Sequence, residues 1–159
     1  VEKSLLDEML SAANLAPSWK NSQTPRFYVA TGEKSKNAVR EALPEFNRKN
    51  SENASAYIVT TVVLNRSGFD KDGTAVTEIG NGWAYYDLGL NNMALLLKAT
   101  ELGISTLVMG IRDGEKLRKE FDIPETEAVV SVIAVGYTDS EIVRPKRKSL
   151  EDFAKFYEE

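Results

Sequence analysis

The chain contains neither cysteine nor histidine. Without thiols there is no disulfide and no thiolate nucleophile, and without either residue there is no Cys/His zinc site and no imidazole acid or base. Any catalysis must run through carboxylates, lysine, tyrosine or serine, or be carried by a bound cofactor. A basic excess is also missing. The net charge of −4 argues against a general nucleic-acid binder, which normally presents a cationic face or stripe. No apolar run is long enough to cross a bilayer, since the most apolar segment, Leu88 to Leu97, is interrupted by Asn91 and Asn92. Walker loops, G-x-G-x-x-G elements and G-x-S-x-G elbows are absent as well. At the start, Val1-Glu2-Lys3-Ser4, no basic stretch precedes an apolar block. A cytoplasmic protein without membrane contact is therefore expected, and a start at Val points to a natural chain that begins earlier.

What is present suits one globular domain over residues 1–159, with 42% hydrophobic and 28% charged residues. Leu5, Leu6, Met9, Leu10, Ala12, Ala13 and Ala16 recur at helical spacing, with Ser4 as the expected N-cap. Arg26 to Thr31 reads as a strand stopped by Gly32, and Ser35 to Leu43 as a helix ended by Pro44. The continuous run Tyr57 to Leu64 is the pattern of a central strand covered on both faces. Asn65 to Gly80 is a loop. Gly82 to Leu102 is a long helix, apolar nearly all round, which predicts burial in the core or at a subunit interface. Gly103 supplies its left-handed C-cap. Ile104 to Ile111 is a short strand, Asp113 caps a helix over Gly114 to Phe121, and Ala128 to Val135 is a second buried strand. Gly136 is expected to turn the chain, and Leu150 to Tyr157 to form a closing amphipathic helix. This order, with neither repeats nor strict βαβ alternation, predicts an α+β fold: three layers, a mixed sheet flanked by helices.

Ala16-Pro17-Ser18-Trp19-Lys20-Asn21-Ser22-Gln23-Thr24-Pro25 is the segment richest in chemistry. Pro17 lacks an amide hydrogen and clashes with a preceding helical turn, freeing the backbone around Ser18 from helical pairing. Asn21 and Gln23 each carry an acceptor and two donors, the inventory for reading the edge of a flat heterocycle. An ordinary helix-to-strand loop uses the same residue types. Two further pieces lie downstream. Arg144-Pro145-Lys146-Arg147-Lys148 places four cations in five residues of an acidic chain, suited to a phosphate or to a solvated tail. In Leu107-Val108-Met109-Gly110 the glycine permits close approach, so the Met109 and Gly110 amides can donate to a ring edge, although a strand end reads the same way. Asp70-Lys71-Asp72-Gly73 lacks the remaining ligands of a calcium loop and reads as a turn. Glu33, Glu41 and Glu45 read as solvated helix faces, and Tyr85 and Tyr86 as packing residues.

In this order the pieces resemble the nitroreductase family of FMN-dependent oxidoreductases, over almost the whole chain. Pro17-Ser18-Trp19-Lys20-Asn21-Ser22-Gln23 is similar to the family's Pro-Ser-x-x-Asn-x-Gln loop, and Asp87 to Leu95 to its long central helix. Glu101 through Met109-Gly110 resembles the segment that meets the flavin, Phe121-Asp122-Ile123-Pro124 the turn before the last core strand, and Val135-Gly136-Tyr137 with Arg144 to Leu150 the closing strand and phosphate-binding tail. The resemblance implies a homodimer with FMN at the interface, NADH or NADPH as co-substrate, and a nitroaromatic, quinone or similar acceptor in a ping-pong cycle. Pro17, Ser18, Asn21 and Gln23 would flank the flavin and ribityl chain, Met109 and Gly110 would offer backbone amides to the ring, and Arg147 with Arg144 or Lys146 would hold the phosphate. Nothing before Ser4 matches the family's Arg-Arg-Ser-x-Arg element, so the expectation is either a longer natural chain or weak FMN binding. Non-catalytic flavin or nucleotide binding by a dimer, and a specialised dehalogenating or flavin-fragmenting enzyme, are the alternatives.

Overall fold

The structure, a computed structural model, describes residues 1–158. Its elements run α1 (Lys3–Asn14), a 3-10 turn (Trp19–Asn21), β1 (Pro25–Ala30), α2 (Glu33–Glu41), α3 (Glu45–Asn50), β2 (Ala56–Val63), α4 (Gly82–Glu101), β3 (Ser105–Met109), α5 (Gly114–Glu120), β4 (Glu127–Gly136) and α6 (Leu150–Phe153). The strands form one sheet in the order β1-β2-β4-β3. β2 and β4, the two runs of near-continuous apolar residues, are its interior strands, as their patterns require.

Alternation along the strands divides the core into two layers. Tyr57, Val59, Val132 and Ala134 face α2 and α5, packing against Val39 and Leu117. Ala56, Ile58, Ile133 and Val135 face the other way, against Leu6 and Met9 of α1 and Leu95 and Ala99 of α4. Each such fully buried aliphatic side chain is worth about 1.5–3 kcal/mol, so the helices are held chiefly by these two seams. The α+β, three-layer architecture is thus present. The sheet is not mixed, however: all three pairings are antiparallel. Continuous hydrophobicity reports burial on both faces, and helices cover both faces of this antiparallel sheet.

Between Thr60 and Thr61 the register to β4 slips, from Thr60↔Ser131 to Thr61↔Val129, so Val130 is an extra residue in a β-bulge. Val130 joins Val62, Ala84 and Leu88 on the α4 side while Val129 joins the α5 side.

Several boundaries differ from expectation. Helix α1 begins at Lys3 with Glu2 at the N-cap position, so Ser4 lies inside the helix and caps nothing. Pro44 does not simply end α2. Its φ of −63° suits the entry to a helix, and it leads straight into α3, which its stop-signal reading concealed. Gly136 does not turn the chain but stays in β4 opposite Ser105, where a Cβ would meet the Ser55 amide nitrogen at 3.5 Å, an ordinary van der Waals contact. The closing helix is four residues long, because Leu150 and Phe153 find no apolar surface to pack on and remain exposed. Gly103, at φ 70°, is the left-handed residue that ends α4, and Asp113 caps α5 by accepting the Lys116 amide at 3.1 Å. No helix among the described residues is long and apolar enough to cross a membrane.

Candidate functional site

The loop between α1 and β1 has an uncommon backbone. Lys20 (φ 45°), Asn21 (φ 54°) and Gln23 (φ 49°) are all left-handed without being glycine. Each such residue costs on the order of 1 kcal/mol, less for Asn, and survives only where surrounding contacts impose it. Those contacts are visible. Both oxygens of the Asp87 carboxylate, on α4, accept the Trp19 amide, at 3.1 and 3.2 Å. Ser18 Oγ accepts the Gln23 amide at 2.9 Å, closing the loop on itself. The Trp19 and Trp83 rings lie 4.7 Å apart, and Trp83 donates through Nε1 to Thr77. Lys20 reaches Asp70 at 3.2 Å, an exposed pair of small energetic weight.

A cleft of about 430 Å³ opens beside this loop. Ser18, Asn21, Ser22 and Gln23 form one wall. Asn14 from α1, Asn91 from α4, and Arg26 and Arg66 complete the polar lining, and no carboxylate contributes. Asn14, Asn91 and Arg66 were missed because α1, α4 and the loop after β2 converge on the cleft only in three dimensions, and Arg26 because it read simply as the start of a strand. Asn91 donates to the Ala13 carbonyl, tying α4 to the end of α1. Arg26 spends one guanidinium nitrogen on the Gln23 and Pro25 carbonyls, both at 2.8 Å, which clamps the end of the loop. The Trp19 indole nitrogen is buried without a partner. Pro17 is exposed just ahead of the 3-10 turn and does not line the cleft.

The other sequence-predicted residues lie elsewhere. Met109 ends β3 at the opposite edge of the sheet from β1, with β2 and β4 between them. Its side chain is buried among Val39, Leu117 and Val132, and the residue as a whole is only 2% exposed. Gly110 is exposed and has open space where a Cβ would stand. Next to it, the Ile111 carbonyl accepts the Asn47 side-chain amide at 3.2 Å, which fastens α3 to this turn. Arg144, Lys146 and Arg147 sit in the exposed tail after β4, and Arg147 donates only to the Pro145 carbonyl among the described residues. A single chain therefore presents three separate pieces: the amide-lined cleft, the Gly110 turn and the cationic tail.

One side of α4 remains exposed and carries apolar residues. Tyr86, Met93 and Leu97 fall on one helical stripe and are 51 to 60% exposed, with the half-buried Leu90 between them. The helix that reads as apolar all round is covered by α1 and the sheet on one side only. Tyr85 and Tyr86, expected to pack, are exposed, although Tyr86 does meet the Trp83 ring edge-on at 5.7 Å. No group of three or more Asp and Glu residues is placed to hold a metal among the described residues.

Comparison with solved structures places this architecture among known ones. An oxidoreductase containing FMN is 26% identical, with a TM-score of 0.82, over 98% of this chain and 81% of its own. A protein of Exiguobacterium sibiricum 255-15, solved in complex with FMN, is 20% identical with a TM-score of 0.84, covering 99% and 88% of the two chains. A nitroreductase family protein of Clostridium difficile 630 is 23% identical with a TM-score of 0.77, covering 98% and 87%. No curated protein matches. The sequence model of the nitroreductase family matches residues 1–137, from the start of the chain to the residue after β4. With the fold, the amide-bearing loop and this match in agreement, the chain belongs to the nitroreductase family.

Proposed function

We propose that this chain is an FMN-dependent oxidoreductase that passes electrons from NADH or NADPH to a nitroaromatic, quinone or similar acceptor in a ping-pong cycle, working as a cytoplasmic homodimer. The observation that carries the reading is the cleft wall, where three non-glycine residues are held left-handed so that Ser18, Asn21 and Gln23 line one surface. Bound FMN would supply the hydride and electron chemistry that a chain without cysteine or histidine does not supply itself.

The residues present fit such a group. Side-chain amides suit a ring edge that alternates donors and acceptors, the absence of carboxylates suits a phosphorylated ligand, and a buried indole N–H stands unpartnered beside the loop. Asn21 and Gln23 would orient the ligand, and the backbone amides at Met109 and Gly110 would steady negative charge on it, an electrostatic role set by geometry. Arg147, with Arg144 or Lys146, would hold the phosphate. Because cleft, Gly110 turn and tail are separate in one chain, a complete site calls for two copies. The Tyr86–Met93–Leu97 stripe is the apolar surface on which they would meet.

The test is the visible spectrum of the purified protein after addition of FMN, before and after anaerobic NADH or NADPH. A flavin spectrum that bleaches on reduction supports the reading. A protein that takes up no FMN overturns it, and bound flavin that neither nucleotide bleaches leaves a binder instead of an enzyme.

A further inference from the structure

The Asp87 carboxylate is the one charged group buried in α4, 2% exposed among the buried Ala84, Leu88, Asn91, Leu95 and Ala99. No salt bridge among the described residues includes it; its contacts are neutral donors. Besides the Trp19 amide it accepts the hydroxyl of Ser67, a fully buried residue in the loop after β2. Ser67 Oγ in turn lies 2.5 Å from Ser22 Oγ and 3.3 Å from Thr24 Oγ1. Asp87 thus reaches the ligand loop at both ends, directly at Trp19 and through Ser67 at Ser22 and Thr24.

The directions of these hydrogen bonds follow from the inventory of each group. A carboxylate only accepts, so the single Ser67 proton goes to Asp87. Ser67 can then only accept from Ser22 and Thr24, which its two lone pairs allow. Ser22 spends its one proton inward, and it is Ser22 that lines the cleft. Its exposed lone pairs can meet only a donor.

We propose that Asp87 is a positioning residue: through the Trp19 amide it fixes the shape of the loop, and through Ser67 it makes Ser22 an acceptor-only contact, selecting a ligand that places an N–H or O–H at that point of the cleft. The ligand class rests on the flavin reading above; the hydrogen-bond relay does not. A flavin carries an imide N–H and ribityl hydroxyls, either of which meets the requirement. Asp87→Asn keeps the size of the side chain but leaves one acceptor oxygen for the Trp19 amide and the Ser67 hydroxyl, and with that oxygen on the Trp19 amide alone the NH₂ turns to Ser67. The chain then reverses: Ser67 donates to Ser22, and the Ser22 proton swings into the cleft.

The experiment is a double-mutant cycle on FMN affinity in the full chain, using wild type, Asp87→Asn, Ser22→Ala and the double variant. Each single change is expected to raise the dissociation constant about tenfold, the scale of one lost hydrogen bond to a ligand, and the double variant to be no weaker than either. A hundredfold loss in the double variant, or unchanged affinity in both Asp87→Asn and Ser67→Ala, overturns the relay. If Asp87→Asn does not fold, Ser67→Ala takes its place in the same cycle with the same expectation. Amide hydrogen exchange at Trp19 in the FMN-free protein separates the two readings. Protection retained in Asp87→Asn but lost in Asp87→Ala supports the anchoring role whether or not FMN binds, and protection unaffected by Asp87→Ala overturns it. A wild-type protein that takes up no FMN counts against the flavin reading alone.

Discussion

The Tyr28 hydroxyl of β1 donates to the Glu127 carboxylate of β4 at 2.9 Å, reaching across the intervening strand β2, whose Thr61 hydroxyl donates to the same carboxylate oxygen. Burial, with the hydrogen bond to Glu127 and its charge, pushes the Tyr28 hydroxyl up to about 12. The folded state therefore holds this proton more tightly than the unfolded chain, whose tyrosines titrate near 10. The stabilisation is complete below pH 10 and is lost as pH rises toward 12. Denaturant midpoints measured from pH 9 to 12 should fall more steeply for wild type than for Tyr28→Phe, and parallel curves would show that the pair does not set this slope.

Gly68 follows the relay serine Ser67 and adopts φ +85°, where a Cβ would lie 2.5 Å from the Gly80 carbonyl oxygen and 2.7 Å from Trp83 Cδ1. Backbone strain and collision act together, and the oxygen belongs to backbone that cannot simply rotate away. Gly68→Ala should cost about 2 kcal/mol in urea unfolding, and a cost below about 0.5 kcal/mol would mean that the loop rearranges freely.

Asn21 combines a left-handed backbone with a side chain in the cleft, and two substitutions separate these roles. Asn21→Gly keeps the backbone conformation at little strain, whereas Asn21→Ala adds roughly 1 kcal/mol of it. If the amide reads the ligand, both variants should lose FMN affinity by about tenfold while only Asn21→Ala loses stability. Full affinity in Asn21→Gly would reduce the side chain to a turn former.

Arg147 is exposed and bonded only to a neighbouring carbonyl, so Arg147→Ala should leave the melting temperature unchanged. Its removal should weaken FMN retention severalfold, and riboflavin, which lacks the phosphate, should bind wild type and variant alike. Equal FMN affinity in the two proteins would move the phosphate away from the tail.

Met93 and Leu97 lie one helical turn apart on the exposed stripe of α4 and touch little of their own chain. On the proposal that two copies meet on this stripe, wild type should sediment as a dimer, and Met93→Lys should sediment as a monomer with lower flavin content. A dimer that persists would place the subunit contact on another face.

How much of this was legible depended on range. Apolar pattern alone located β2 and β4 to within a residue or two, because continuous burial leaves a continuous pattern, and it located α4 as closely although only one side of that helix is covered. The loop from Pro17 to Gln23 was legible as chemistry, since Asn and Gln between Pro and a strand are a local signal. Ser67 was not: one serine among the loop residues after β2 gains its meaning only from Asp87, twenty positions on, and from Ser22, forty-five positions back. The available signal was Asp87 itself, the one acid on the helix face that also carries Ala84, Leu88, Asn91, Leu95 and Ala99. The separation of Met109 and Gly110 from the cleft was likewise invisible, because nothing local reports that β1 and β3 take opposite edges.

The bulge at Val130 makes β4 two strands in sequence grammar. From Ser131 to Val135 odd-numbered residues face α1 and α4, whereas at Glu127 and Val129 odd-numbered residues face α5. One extra residue works as a phase inverter, bringing Glu127 to Tyr28 and Thr61 instead of setting a carboxylate against Leu88. A deletion at Val130 would conserve every other residue and still interchange the two sides of the strand's first half. In comparing relatives, a gap of one at this position therefore carries more structural information than several substitutions around it.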